Sequence, residues 1–128
     1  MKRTQQLFTL MISLILIDFG YCQYQDKKEI ERKLFGSWIS NDDSNMEMRF
    51  DGSIRKDYYE GAHIDTYQYT VTSDCNSEII SENRFFLKSI DSSDNSVYCL
   101  IIEAVDSNGS GILSFTSERG QLLVFSKK

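Results

Sequence analysis

The sequence contains no proline, and it has one histidine, one tryptophan and three cysteines among its 128 residues. Because proline cannot donate a hydrogen bond to a neighbouring strand, its absence leaves every predicted strand uninterrupted. The histidine, His63, follows Glu60-Gly61 in a predicted exposed turn, which argues against a hydrolase triad and against a zinc centre. A glycine-rich phosphate loop is also lacking. We therefore expect no catalytic residue, no metal and no cofactor.

Basic residues are scarce relative to acidic ones. The chain has 14 Lys and Arg against 19 Asp and Glu, a formal net charge of −5. Nucleic acids and anionic membrane surfaces are bound through clustered basic side chains, so neither is an expected partner. The acidic pairs Asp42/Asp43 and Asp91/Asp94 do not match an EF-hand loop, and we interpret them as solvated loop residues rather than calcium ligands.

The first 22 residues have the organisation of a secretory signal peptide. Lys2 and Arg3 give a basic start, residues 7–17 form an apolar core, and Asp18 ends it. This core is shorter than the roughly 20 apolar residues that a membrane-spanning helix needs. The sequence therefore predicts a signal peptide over 1–22 and one secreted or periplasmic domain over 23–128, without an integral membrane span.

The three cysteines have different predicted fates. Cys22 lies at the cleavage site and could carry a lipid anchor, but the bulky Tyr21 beside it argues against lipoprotein processing. Cys75 and Cys99 remain in the mature chain, where an oxidising compartment permits a disulfide. We expect them to pair; two free buried thiols are the alternative.

The hydrophobic period changes once along the chain. A helix is predicted over 26–35, with Asp26 as its cap and Gly36 after its end. Beyond Gly36 the sequence alternates, with short turns such as Asp51-Gly52, which predicts an all-β, antiparallel up-and-down meander of about eight strands that closes into a small barrel. The predicted strands are 37–40, 45–50, 53–59, 64–72, 84–90, 97–105, 111–116 and 121–125, with a short piece at 78–80.

Gly36-Ser37-Trp38, after a short helix and at the start of the first strand, resembles the Gly-x-Trp motif of lipocalins, especially short bacterial lipocalin-like domains. The resemblance extends over the pattern from about 26 to 125. It implies a lipocalin-like barrel in which Trp38 packs across the closed end beneath the helix.

Two further family features are matched less closely. Lipocalins keep an arginine near the last strand that stacks on the tryptophan, and Arg119 is the candidate for that structural role. Their second motif, similar to Thr-Asp-Tyr, corresponds only to a rearranged Asp65-Thr66-Tyr67.

The predicted barrel interior supplies the candidate ligand site. An eight-stranded barrel either fills with side chains or holds one small ligand. Tyrosine and methionine side chains suit an adaptable pocket for an apolar or amphipathic molecule. If the interior is filled instead, we expect an interaction or inhibitor module that contacts another exported protein. The candidate lining residues are Met46, Met48, Phe50, Tyr58, Tyr67, Tyr69, Phe86, Tyr98, Leu100, Ile102, Leu113 and Phe115.

Overall fold

The computed structural model describes residues 26–79 and 84–128, so the predicted signal peptide and Cys22 lie outside the described residues. The elements are α1 Lys27–Leu34, β1 Gly36–Ser40, β2 Met46–Asp51, β3 Ile54–Tyr59, β4 Ala62–Thr72, β5 Asp74–Cys75, β6 Glu78–Ile79, β7 Phe85–Asp91, β8 Val97–Val105, β9 Ile112–Thr116 and β10 Leu122–Lys127. The structure confirms an all-β fold: eight antiparallel strands form a closed barrel in the order β1-β10-β9-β8-β7-β4-β3-β2, beside one short N-terminal helix.

The helix α1 covers one end of the barrel, which we call the closed end. Asp26 caps it by accepting a hydrogen bond from the backbone N–H of Glu29 at 2.8 Å. Its apolar stripe, Ile30 and Leu34, is buried, and the indole Nε1 of Trp38 donates to the Leu34 carbonyl at 2.9 Å. Trp38 therefore lies beneath the helix, as predicted. Across the described part of the chain, no helix has the length and apolar character required to span a bilayer.

The opposite, open end is bounded by the loops 41–45, 60–61, 92–96 and 117–121. Glu60 and Gly61 both have positive φ, of 51° and 80°, as a two-residue type I′ hairpin requires. The β2–β3 turn at the closed end differs from the prediction. Because Asp51 pairs directly with Ile54, the central residues of this turn are Gly52 and Ser53. Of these two, only Gly52 has positive φ.

Side chains that point into the closed half of the barrel form a dense core. Strand alternation places one face of every strand inward, and the cross-strand pairs bring these faces into one cluster. Seven of these side chains are at most 1% exposed: Trp38, Phe50, Val71, Leu87, Val105, Leu113 and Phe115. This half of the interior is filled by side chains.

A second, smaller cluster lies on the outside of the barrel. Cys75 and Cys99 form a disulfide with a Cα–Cα distance of 6.1 Å, which confirms the predicted pairing. Phe86 is buried against it, so the prediction that Phe86 lines the interior is wrong. The two clusters explain why β8 is apolar on both faces: Ile102 faces the core and Cys99 faces the outer cluster.

Candidate functional site

A second set of inward-facing side chains forms a site of different character from the core. Strand register places them on the same inner face as the core residues, but several remain accessible. Tyr98, for example, is 47% exposed, whereas Phe115 is fully buried. We call this region the mouth, and define it by Met46, Arg55, Asp57, Asp65, Tyr67, Ser89, Asp91, Tyr98, Leu100 and Leu123.

A buried ion pair lies at the inner limit of the mouth. Arg55 and Asp57 are two residues apart on β3, so both point inward. The guanidinium donates from Nε to Asp57 Oδ1 at 2.9 Å and from Nη2 to Oδ2 at 2.7 Å. Its Nη1 donates to Ser89 Oγ at 3.1 Å, across the barrel interior. Arg55, Asp57 and Ser89 are 8%, 3% and 1% exposed, so a charged, hydrogen-bonded group separates the packed core from the open end.

One tyrosine lies on this ion pair, and a second packs against the first. The guanidinium carbon of Arg55 is 4.3 Å from the centre of the Tyr67 ring, a distance typical of a cation–π contact. The Tyr98 ring meets Tyr67 edge to face, with 6.0 Å between ring centres and 88° between planes. Burial raises the pKa of Tyr67 to about 12, and the carboxylates of Asp57, Asp65 and Asp91 act in the same direction against the opposing charge of Arg55.

The mouth, as defined above, contains more carboxylates than cations. Asp65 pairs with Asp57 across β3 and β4, and Asp91 pairs with Tyr67 across β4 and β7. The Asp91 Oδ1 atom accepts hydrogen bonds from the Ser93 hydroxyl at 2.7 Å and the Ser93 backbone N–H at 2.8 Å, and these bonds lower the pKa of the carboxyl. Three carboxylates face one guanidinium in this region.

Exposed apolar side chains surround the entrance. Tyr59 ends β3, Ile64 lies near the start of β4, and Leu122 begins β10. All three are exposed at the open end of the barrel. The entrance thus offers apolar surface, and the inner limit offers hydrogen-bonding groups.

The structure divides the predicted lining residues into three groups. Those in the mouth are Met46, Tyr67, Tyr98 and Leu100; those in the packed core are Met48, Phe50, Tyr69, Ile102, Leu113 and Phe115; those on the outer wall are Tyr58 and Phe86.

The prediction for Tyr58 is wrong because the inward face of β3 carries Arg55 and Asp57 instead. Tyr58 pairs with Glu47 and His63, and the guanidinium carbon of Arg49 lies 4.1 Å from its ring centre. The sequence analysis did not include Arg55, Asp57, Asp65, Ser89, Asp91 and Leu123 in the lining. Asp91, predicted to be a solvated loop residue, instead ends β7 and is buried. One usable signal existed: in a hairpin with Gly52-Ser53 as its turn, inward Phe50 and Met48 must pair with Arg55 and Asp57.

The prediction that Arg119 stacks on Trp38 is also wrong. Arg119 is exposed in the 117–121 loop at the open end, whereas Trp38 lies at the closed end. Lys127, the cross-strand partner of Trp38, takes that place, with its Nζ atom 6.0 Å from the ring centre. Gly36 opens β1 with a φ of 114°, a conformation that favours glycine.

His63 lies on β4 rather than in a turn. It is exposed, and its Nε2 atom is 2.8 Å from Thr66 Oγ1. Within residues 26–79 and 84–128, no three His, Cys, Asp or Glu side chains are placed to hold a metal ion.

The outer wall of β1–β3 carries two adjoining cavities of about 340 and 300 Å³, which share Arg49 and Tyr58. Glu47 lines the smaller cavity, where it is buried and is paired with Arg49 and, at 2.8 Å, with Lys128. Burial alone would raise the pKa of Glu47, but the hydrogen bonds from Lys128 and Arg49 outweigh it and lower the pKa. This wall is a second surface with defined concave shape.

Comparison with known proteins adds no relative. No family model, no curated protein and no solved structure matches the chain.

Proposed function

We propose that this protein is an exported binding protein that holds a small amphipathic molecule in the mouth of its barrel. The observation that carries the proposal is a contrast within the inner face of the barrel. Leu113 and Phe115 in the packed core are fully buried, whereas Tyr67, Tyr98 and Leu100 in the mouth remain accessible beside buried hydrogen-bonding groups.

The same contrast limits how deep a ligand can reach. The ion pair of Arg55 and Asp57 and the packed core beneath it occupy the interior. A bound molecule would therefore place its polar part against Arg55 and its apolar part against the accessible side chains of Met46, Tyr98 and Leu123. A molecule with both characters matches this arrangement, because a purely apolar one would leave the buried polar groups without compensation.

Export is supported by two features. The first 22 residues have the organisation of a signal peptide, and the disulfide between Cys75 and Cys99 is of a kind that persists in oxidising compartments. We propose that the mature chain acts outside the cytoplasm, secreted or in the periplasm, without a lipid on Cys22. Mass spectrometry of the mature amino terminus tests this, and an acylated Cys22 would contradict it.

Ligand binding is tested with a fluorescent probe. N-phenyl-1-naphthylamine, an uncharged fluorophore, should bind the full mature chain saturably, and octan-1-ol should displace it. Tyr98→Ala removes an accessible aromatic wall of the mouth and should weaken octan-1-ol binding by about 1 kcal/mol, or about fivefold in Kd. The matched control is Tyr58→Ala on the outer wall, which should leave the Kd unchanged. Equal effects of the two variants, or no binding to the wild-type chain, would contradict the proposal.

A second candidate function is a protein-interaction module that uses the filled barrel as a scaffold. The adjoining cavities on the outer wall, lined by Arg49, Tyr58 and Lys128 among others, favour this alternative. A stoichiometric partner recovered from the medium or periplasm, whose binding is lost with Tyr58→Ala and kept with Tyr98→Ala, would support it.

A further inference from the structure

Arg55, one of the mouth residues, retains unused hydrogen-bonding capacity. An arginine side chain carries five N–H bonds, and Arg55 uses three of them, two on Asp57 and one on Ser89. Among the described residues, the other two N–H bonds, one each on Nη1 and Nη2, have no protein acceptor. These donors belong to a side chain that is 9% exposed and that packs on the partly exposed ring of Tyr67.

The surroundings of Arg55 determine which head group it can receive. The carboxylate of Asp57 already neutralises the guanidinium through two hydrogen bonds. Asp65 and Asp91 lie on the same inner face of the barrel. A ligand carboxylate would therefore meet an excess of negative charge, whereas an ammonium group carries only donors and cannot accept a hydrogen bond from the remaining N–H bonds of Arg55.

We propose that Arg55 is the specificity-determining residue of the mouth and that it selects amphiphiles with an uncharged, hydrogen-bond-accepting head group, such as a hydroxyl or carbonyl, over carboxylates and amines. This inference rests on the proposed function, since it concerns the ligand of the same site. It assigns the buried pair a role beyond stability, because a well-packed apolar pair of similar volume is often as stable as a buried ion pair.

The test compares three probes with one tail. Octan-1-ol, octanoate and octylammonium are titrated at pH 7 by calorimetry into the full mature chain. Octan-1-ol should bind about tenfold more tightly than either charged probe. If none of the three binds, the proposed function fails. If octanoate or octylammonium binds most tightly, the proposed function stands and the inference about Arg55 is wrong.

The chain offers a matched pair of variants. Arg55→Met with Asp57→Leu removes the inner ion pair without leaving an unpaired buried charge, and it should weaken octan-1-ol binding about tenfold. Arg49→Met with Glu47→Leu removes the analogous i, i+2 ion pair on the outer wall, where Arg49 also lies on a tyrosine ring. This control should not change the Kd. An unchanged Kd in the inner double variant would overturn the inference.

A second measurement needs no substitution. The side-chain N–H signals of Arg55 in a nitrogen-resolved NMR spectrum should shift when octan-1-ol is added, and those of Arg49 should not. A purely structural role for Arg55 predicts no shift, so its absence in the presence of saturating octan-1-ol would also overturn the inference.

Discussion

The salt bridge between Arg55 and Asp57 is a buried ion pair within the mouth. Each partner is nearly inaccessible to water, and each satisfies hydrogen-bonding groups of the other. Removing one partner leaves a buried charge alone, whereas removing both leaves an apolar interior. The two kinds of change should therefore have very different effects on stability.

We expect Arg55→Met alone to lower the free energy of unfolding by about 3–5 kcal/mol, because Asp57 then loses its cation in a buried position. Adding Asp57→Leu should restore most of this loss. Urea denaturation of the single and double variants measures the difference. If the single and double variants have equal free energies of unfolding, the buried Asp57 carboxylate does not need Arg55 as its partner.

Tyr67 reports the charge of the mouth. Its pKa, about 12, reflects burial first and then the neighbouring carboxylates. Asp65→Asn should lower this pKa, but not to the ordinary tyrosine value, since burial remains. Asp42→Asn, in an exposed loop, is the control and should not change it. Carbon NMR titration of the tyrosine rings gives each pKa separately, and an unchanged Tyr67 pKa in Asp65→Asn would place Asp65 away from the mouth.

The raised pKa of Tyr67 also has a consequence for stability with a definite sign. The unfolded chain ionises this phenol near its ordinary value of 10, whereas the folded chain keeps the proton until about 12. The folded state therefore binds more protons between these values, and its stability falls as pH rises through that window. Tyr67→Phe should remove this part of the pH dependence.

For single strands, the sequence predicts which residues face inward wherever one face of the strand is uniformly apolar. Met46, Met48 and Phe50 on β2 and Tyr67, Tyr69 and Val71 on β4 were placed on common faces by alternation, and the structure has them facing inward. The predicted helix lies within one residue of α1 at each end, because Asp26 and Gly36 mark its limits.

β3 shows why the rest could not be predicted. Both faces of β3 carry charged as well as apolar or aromatic residues. Alternation alone therefore assigns the charged Arg55 and Asp57 to solvent and the aromatic Tyr58 to the core. The opposite arrangement is stable only because the ion pair closes on itself and on Ser89, 34 residues away in sequence. Contacts between such distant residues are fixed by the tertiary fold rather than by local pattern.

The disulfide joins the hairpin of β5 and β6 to the barrel. Cys75 on β5 is joined to Cys99 on β8 across a sequence separation of 24, which corresponds to about 3 kcal/mol in the chain-entropy description. Cys75→Ala with Cys99→Ala should lower the free energy of unfolding by this amount. It should leave octan-1-ol binding unchanged, because the disulfide lies in the smaller cluster on the outside of the barrel. Denaturation and calorimetry of the same variant check both parts; lost binding with retained folding would connect the outer cluster to the mouth.

On the scale of the whole molecule, barrel closure separates a packed end from an accessible one. The first and last strands, β1 and β10, pair with each other, and α1 covers the end where Trp38 lies. This arrangement leaves the mouth as the accessible entrance at the other end and puts the disulfide on the outside. We propose that the mouth, rather than the outer wall, binds a small amphipathic molecule.

Backbone amide NMR of the full mature chain during titration with octan-1-ol tests that claim most directly. We expect saturable shifts concentrated at mouth residues such as Tyr67, Ser89 and Tyr98, with small changes near Trp38 at the closed end. Shifts concentrated around Arg49 and Tyr58 on the outer wall, or none at saturating probe, would contradict the account.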